Sequence, residues 1–339
     1  MALRLIEMFV PSSENPDSIR ELLKDYPILG IWHQSLSEDS VLVKMLLEAE
    51  QTEDVLDILE QRFSALKGFR IVLLPVEASL PRPEEQKKEE SGLLEKPISE
   101  KEQETKGTRI SREELYTDIV ETTKLSSIYV VLVILSSTVA AVGILRNNVA
   151  VIIGAMVIAP LLGPNIALSF ATTLGDMDLV RKALKTNLAG LFIALVFSVS
   201  IGFIFKIDPS IPELASRTQV GLGDVVLALA SGSAGVLSFT TGVAGAIIGV
   251  MVAVALLPPL VSFGMLLGSR QWEPAFGAMT LLLVNVICVN LAGVLTFLIQ
   301  GIRPKTWWEE DRAKKATRNA IVLWTFLLLI LLAVIYFSR

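Results

Sequence analysis

Residues 147–175 read NNVAVIIGAMVIAPLLGPNIALSFATTLG, twenty-nine positions without one Asp, Glu, Lys, Arg or His. About 20 apolar residues carry a helix across the hydrocarbon of a bilayer, so the stretch is long enough to span. Its middle is broken. Pro160 and Pro164 each remove a backbone donor and clash with the carbonyl one turn back, with Gly163 beside them. In lipid, freed backbone groups are tolerated only when buried in protein or lining a wet cavity. A membrane helix interrupted at its centre is therefore the first expectation.

Charge-free runs recur on both sides of it, at 125–145, 186–205, 225–269, 274–302 and 319–338. The 45-residue run 225–269 must hold two spans, divided near Thr241-Gly242. Seven crossings follow: 126–145, 148–174, 186–206, 224–240, 243–268, 275–300 and 319–337. The whole chain is 339 residues, 52% hydrophobic, with a mean hydropathy of +0.58. These values exclude an ordinary soluble enzyme and a disordered chain. The net charge of −5 hides a split: residues 1–125 hold 16 Lys+Arg against 26 Asp+Glu, and the remainder hold 14 against 9. An acidic aqueous part precedes a basic membrane part. Arg181, Lys182 and Lys185 lie in one loop, and Arg303, Lys305, Arg312, Lys314, Lys315 and Arg318 in another. Lys/Arg-rich loops face the cytoplasm, which sets the N-terminus inside and the C-terminus outside. With no basic n-region or apolar h-region at the start, the expected location is the cell membrane, multi-pass, with a cytoplasmic N-terminal domain.

The membrane half repeats itself. At an offset of 95, residues 130–164 align without gaps to 225–259 and match at 12 of 35 positions. Ser136 meets Ser231, Gly154 meets Gly249, Met156 meets Met251 and Pro164 meets Pro259. Asn187-Leu-Ala-Gly190 corresponds to Asn290-Leu-Ala-Gly293 with a further shift of eight. Each unit holds three crossings, and an odd number inverts the second copy relative to the first. If 149–175 and 244–269 were re-entrant hairpins instead, the copies would be parallel. A single Pro-broken helix reads as a packing kink. A matched pair, GAMVIAPLLGPNIALSF and GVMVAVALLPPLVSFGM, points to a binding site where inverted repeats meet.

The segment around GAMVIAPLLGP, with AGAIIGVMVAVALLPPLVSFGMLLG later, resembles a family of prokaryotic membrane proteins, the hydrophobic domain of unknown function 389. The resemblance covers 125–270 well and the whole chain in outline. It implies a prokaryotic membrane protein and carries over no functional residue.

The aqueous part reads βαββαβ, with strands at 3–10, 29–36, 40–48 and 69–76 and helices at 16–25 and 52–65. That order resembles a ferredoxin-like module. Seven segments result: the module at 1–78, a charged flexible linker at 79–110, an interfacial helix at 111–124 begun by Ser111 with Glu114, repeat 1 at 125–206, an external loop at 207–223, repeat 2 at 224–302, and a basic loop with the last helix at 303–339.

No carboxylate lies in any expected span, which argues against a conventional proton-coupled carrier. One cysteine, Cys288, and one histidine, His33, outside the membrane half, exclude an intrachain disulfide, a Cys-rich metal site and His-based zinc or triad chemistry in the membrane half. Neither catalysis nor a cofactor is expected. The candidate substrate-binding residues are Pro160, Gly163, Pro164 and Asn165 at the first break, Pro258 and Pro259 at the second, and the motif-paired Asn187 and Asn290. Asn165 caps the second half-helix or faces a solute. The expected function is transport or conduction of a small solute or ion, with regulation by the cytoplasmic module. The rival is a membrane sensor or scaffold. Expected partners are the lipid bilayer, the solute, a small-molecule ligand at the module and further copies of the chain, but no nucleic acid.

Overall fold

In a computed structural model of the chain, the residues described are 3–12, 16–37, 39–76, 79, 110–241, 256–302 and 307–337. The linker over 80–109, Arg303 and Lys305 of the basic loop, and the first part of the expected fifth span, 243–255, lie outside them. The chain divides into two units, Met1–Leu115 and Tyr116–Arg339.

The first unit holds β1 (Leu3–Pro11), α1 (Pro16–Leu22), β2 (Ile28–Ser37), β3 (Ser40–Glu48), α2 (Ala49–Phe63) and β4 (Arg70–Val76). All pairs are antiparallel, in the order β2-β3-β1-β4. Alternation along β1 sends Ile6, Met8 and Val10 to one face. There they pack with Val41, Val43, Met45, and with Val55, Leu56, Leu59 and Phe63 of α2, the stripe its helical spacing gives. Gly68, at φ +90°, makes the turn into β4 in a conformation glycine adopts without strain. The unit ends in the first residues of α3 (Arg112–Thr122). Ser111 caps that helix through the Glu114 amide at 3.2 Å. The Glu114 carboxylate accepts two bonds from buried Arg4, each 2.8 Å, and so does not complete a capping box.

The second unit is helical: α4 (Ser127–Leu145), α5 (Val149–Ile158), α6 (Leu162–Leu174), α7 (Met177–Ile204), α8 (Pro212–Ala215), α9 (Leu222–Thr241), α10 (Leu257–Gly268), α11 (Trp272–Ile299) and α12 (Trp307–Phe337). Among the described residues five helices are long and apolar enough to cross a membrane, six if the bent pair α5–α6 is one span. The two basic stretches expected as loops are largely helical. Asp176 caps α7 by accepting from the Asp178 and Leu179 amides, so Arg181, Lys182 and Lys185 ride on its first turns. A charge-free run marks where hydrocarbon ends, not where a helix ends. At ~1.5 Å per residue, 28-residue α7 is about 42 Å long, more than the ~30 Å core.

Element boundaries recur at the 95-residue offset. Helices start at 127 and 222, at 162 and 257, and at 177 and 272. The turns between the paired helices match too. Gly175 (φ +71°) and Arg270 (φ +61°) are both left-handed, and the following amides, of Asp176 and Gln271, each donate at 2.9 Å to a carbonyl five residues back.

Contacts fix the directions. Leu161 and Asn165 of α6 meet Gly190 and Asn187 of α7, so these two run antiparallel. Asn165 and Ser169 meet Asn290 and Gly293, so α6 runs with α11. Gly264 and Gly268 of α10 meet Ser198 and Gly202, so α10 runs with α7. Each short helix is wedged between the two 28-residue helices, and the two short helices point in opposite directions.

Candidate functional site

The first break lies at Ala159–Leu161, between α5 and α6, and bends the pair by 49°. Ala159 takes extended backbone (ψ 121°), the conformation a residue before proline prefers, and so ends α5. Pro160 lies in the gap. Pro164 does not kink a helix interior: it occupies the first turn of α6, where no amide donor is needed. Pro259 holds the same place in α10, with Pro258 one residue before it where α6 has Gly163. Pro160 therefore lies at the break itself, and the other three prolines lie in the first turns of the short helices. Gly163 lets α3 approach, because a Cβ there would stand 2.6 Å from the Cβ of Thr122.

One turn into α6 the three asparagines named from sequence come together. The Asn165 Nδ2 donates to the Leu161 carbonyl at 2.9 Å and to Asn187 Oδ1 at 3.0 Å. The Asn290 Nδ2 donates to Asn165 Oδ1 at 3.0 Å and to the Val286 carbonyl at 2.8 Å. The Ser169 hydroxyl lies 3.3 Å from Asn290 Oδ1 and from the Asn290 carbonyl. Relative exposures are 1% for Asn165, 5% for Asn187, 0% for Asn290 and 1% for Ser169. Buried amides need partners, and this cluster supplies them from three helices.

The Asn-Leu-Ala-Gly motif now has a physical reading. Glycine three positions after each asparagine lies on the same helical face and permits close approach. A Cβ at Gly293 would stand 2.6 Å from Ser169 Oγ, and one at Gly190 would collide with the Tyr129 hydroxyl and come within 3.0 Å of Leu161. The Tyr129 hydroxyl in turn donates to the Thr186 carbonyl at 3.2 Å. These glycine contacts were legible as a motif, but their partners were not.

Pro258 and Pro259 are buried at the head of α10, and none of the described hydrogen bonds joins them to the asparagine cluster. At the 95-residue offset Leu260 takes the place of Asn165, so α10 has no counterpart of the amide at the centre of the cluster. Beyond it, Phe170 packs edge-on to Phe297 with centroids 5.2 Å apart, and against Tyr116 at 6.2 Å. The Tyr116 hydroxyl donates to Asp176 at 2.9 Å. Burial, and then that carboxylate, push its pKa up to about 12. Among the described residues no group of three or more His, Cys, Asp or Glu could hold a metal ion. The cluster offers neutral amides and a hydroxyl: it can orient a polar neutral group or replace part of an ion's water shell, and it cannot titrate near neutrality.

The architecture defines a class: a mostly helical protein with several membrane-capable helices behind a small antiparallel sheet. Residues 156–291 match the family model described as Domain of unknown function (DUF389), and the chain belongs to that family. It is 34% identical over 340 residues to Uncharacterized protein MJ0678 of Methanocaldococcus jannaschii, covering 99% of this chain and all of the relative. No solved structure matches.

Proposed function

We propose that the chain is a membrane transporter or channel for a small solute or ion. In this reading it is built from two inverted copies of a three-span unit, with the asparagine cluster at the centre of the path. The observation that carries it is the pair of short, proline-begun helices pointing in opposite directions between the same two long ones, the arrangement inverted-repeat carriers use at their sites. The recurrent boundaries and matching left-handed turns support duplication. The eight-residue shift of the Asn-Leu-Ala-Gly motif supports inversion. Asn187 is the eleventh residue of α7 and Asn290 the nineteenth of α11. In antiparallel helices of 28 residues the eleventh lies level with the eighteenth, so the shift sets both amides at one depth to within about 1.5 Å.

Seven crossings in this reading, with the basic starts of α7 and α12 at the inner face, place the N-terminal unit in the cytoplasm of a prokaryote. That unit has the strand order of a ferredoxin-like fold and is assigned the regulatory role. No catalytic step is invoked. The saturated, buried cluster corresponds to a closed state, and conduction requires Asn165 to release Asn187 or Asn290. The rival, a sensor or scaffold, draws on the same saturation, since a fully bonded cluster also holds a permanent bundle together.

Proteoliposome swelling in stopped flow, with sodium chloride, potassium chloride, urea and glycerol as probes, separates them. Transport predicts permeation above protein-free vesicles for at least one probe, and a change in its rate on Asn165→Leu. Rates equal to protein-free vesicles for all four count for the scaffold.

A further inference from the structure

We propose that the N-terminal unit pairs with a second copy of itself through the face of the sheet opposite α1 and α2, on which no described helix packs. The claim is independent of the transport reading. Register places the residues: Leu5 lies between Leu46 and Leu74, Glu7 between Lys44 and Val72, and Phe9 between Leu42 and Arg70. Trp32 extends the face beside Lys44, and Gln34 beside Leu42. Leu42 is buried; the others lie outside the core, which uses the alternate residues Ile6, Met8, Val10, Val43 and Met45. An antiparallel sheet with one wet face normally shows polar residues there. Here that face is mostly Leu, Val, Phe and Trp, and Trp32 is 53% exposed.

The indole also lies flat. A Cβ at Gly30 would strike the Trp32 ring, so only glycine lets it lie back against the sheet and keep the face level. Leveling suits a broad flat partner better than a small ligand in a pocket.

Charge selects the partner. Residues 3–76 hold 7 Lys+Arg and 13 Asp+Glu. Among the described ones Glu7, Lys44, Glu48 and Arg70 lie on this face, two of each sign; Glu48 is buried at its end, and Glu7 is paired with Lys44 at 2.7 Å. The unit's acidity is carried elsewhere, which disfavours an anionic lipid surface or a nucleic acid. Around a two-fold axis the central Glu7–Lys44 pair is self-complementary: each charge can meet its opposite on the other copy. Four strands about 4.8 Å apart and seven to ten residues long present on the order of 450–600 Å² per copy. Two copies together then bury close to the ~1,000 Å² floor for a specific interface. An interface of that size fits units held at high local concentration by a shared membrane.

The test uses the full chain in nanodiscs, in a Cys288→Ala background. Leu46→Cys on the central strand β3 should give a disulfide dimer under mild oxidation, whereas Gln61→Cys on the outer side of α2 should not. Adding Leu5→Asp or Trp32→Lys should reduce the Leu46→Cys product at least tenfold with the circular dichroism melt unchanged. Trp32→Lys guards against a folding defect, because Trp32 is already exposed. A Leu46→Cys chain that stays uncrosslinked, equal cross-linking from Gln61→Cys, or a product insensitive to Trp32→Lys overturns the proposal.

Discussion

Asn165→Leu puts into α6 the residue that α10 carries at the matching position, and removes the hub of the cluster. Three bonds go: Asn165 to the Leu161 carbonyl at 2.9 Å, to Asn187 at 3.0 Å, and Asn290 to Asn165 at 3.0 Å. Two of these bonds cross between helices; such bonds are worth roughly 0.6 kcal/mol on average and about 1.7 at most, so the two sum to about 1–3.5 kcal/mol. The loss should fall in the upper half of that range. Asn187 Oδ1 and one Asn290 N–H are left facing leucine where water has no access, and an unpaired buried polar group costs more than a bond contributes. The assay is unfolding in mixed micelles by SDS titration, followed by circular dichroism, for Asn165→Leu, Asn290→Leu and the double variant. Asn165→Leu should lose at least 2 kcal/mol. The double variant should lose less than the sum by about 0.5–1.7 kcal/mol, because the two singles share one bond. A single-variant loss below 0.5 kcal/mol, or strict additivity, refutes the cluster as the tie between α6 and α11.

The paired left-handed turns respond with opposite signs. Gly175→Ala forces a non-glycine residue to φ +71° and brings a Cβ within 2.8 Å of the Ala313 Cα, so it should lose about 2 kcal/mol or more in the same titration. Arg270→Gly relieves the same conformation and should gain up to about 1 kcal/mol. Tyr116 should ionise near pH 12, two units above a free phenol. The 295 nm absorbance lost on Tyr116→Phe should therefore appear there, and Asp176→Asn should lower the midpoint. Since folding raises this pKa, its contribution to stability is complete below pH 10 and is lost between about 10 and 12. In the sheet unit, Arg4→Met strands the Glu114 carboxylate and should cost about 2 kcal/mol, read as faster hydrogen exchange at residues 112–115. The double variant Arg4→Met/Glu114→Leu should restore most of that protection.

The sheet unit was legible strand by strand because apolar alternation and turn residues are local signals. Its strand order follows from the element order βαββαβ and from no local signal, since Leu5 pairs with both Leu46 and Leu74 across the sequence. The membrane half was legible in composition and misread in detail. Hydropathy located the apolar part of α7 but not its start, because Asp176 and the basic residues after it are as helical as the leucines. Pro164 looked like an interior break and proved to lie in a first turn, a distinction that depends on where the preceding helix ends. Asn187 and Asn290 were marked by a shared motif, and Asn165 by its place after Gly163-Pro164. Their convergence depends on helix direction, which no local pattern encodes. The eight-residue shift looked like an imperfection of the repeat until the two 28-residue helices were found to run in opposite directions.

The central claim is that the cluster lies on a path open to water at some point in a working cycle. Ser169 touches Asn290 and is 1% exposed, and cysteine is its near-isostere. In a Cys288→Ala background, with the chain in sealed proteoliposomes, Ser169→Cys is treated with a membrane-impermeant methanethiosulfonate, and Lys206→Cys serves as the exposed control. The account predicts slow but complete modification of Ser169→Cys, accelerated by Asn165→Ala, which loosens the closed cluster. No modification after the control has reacted fully many times over, with or without Asn165→Ala, would identify a permanently dry bundle and contradict it.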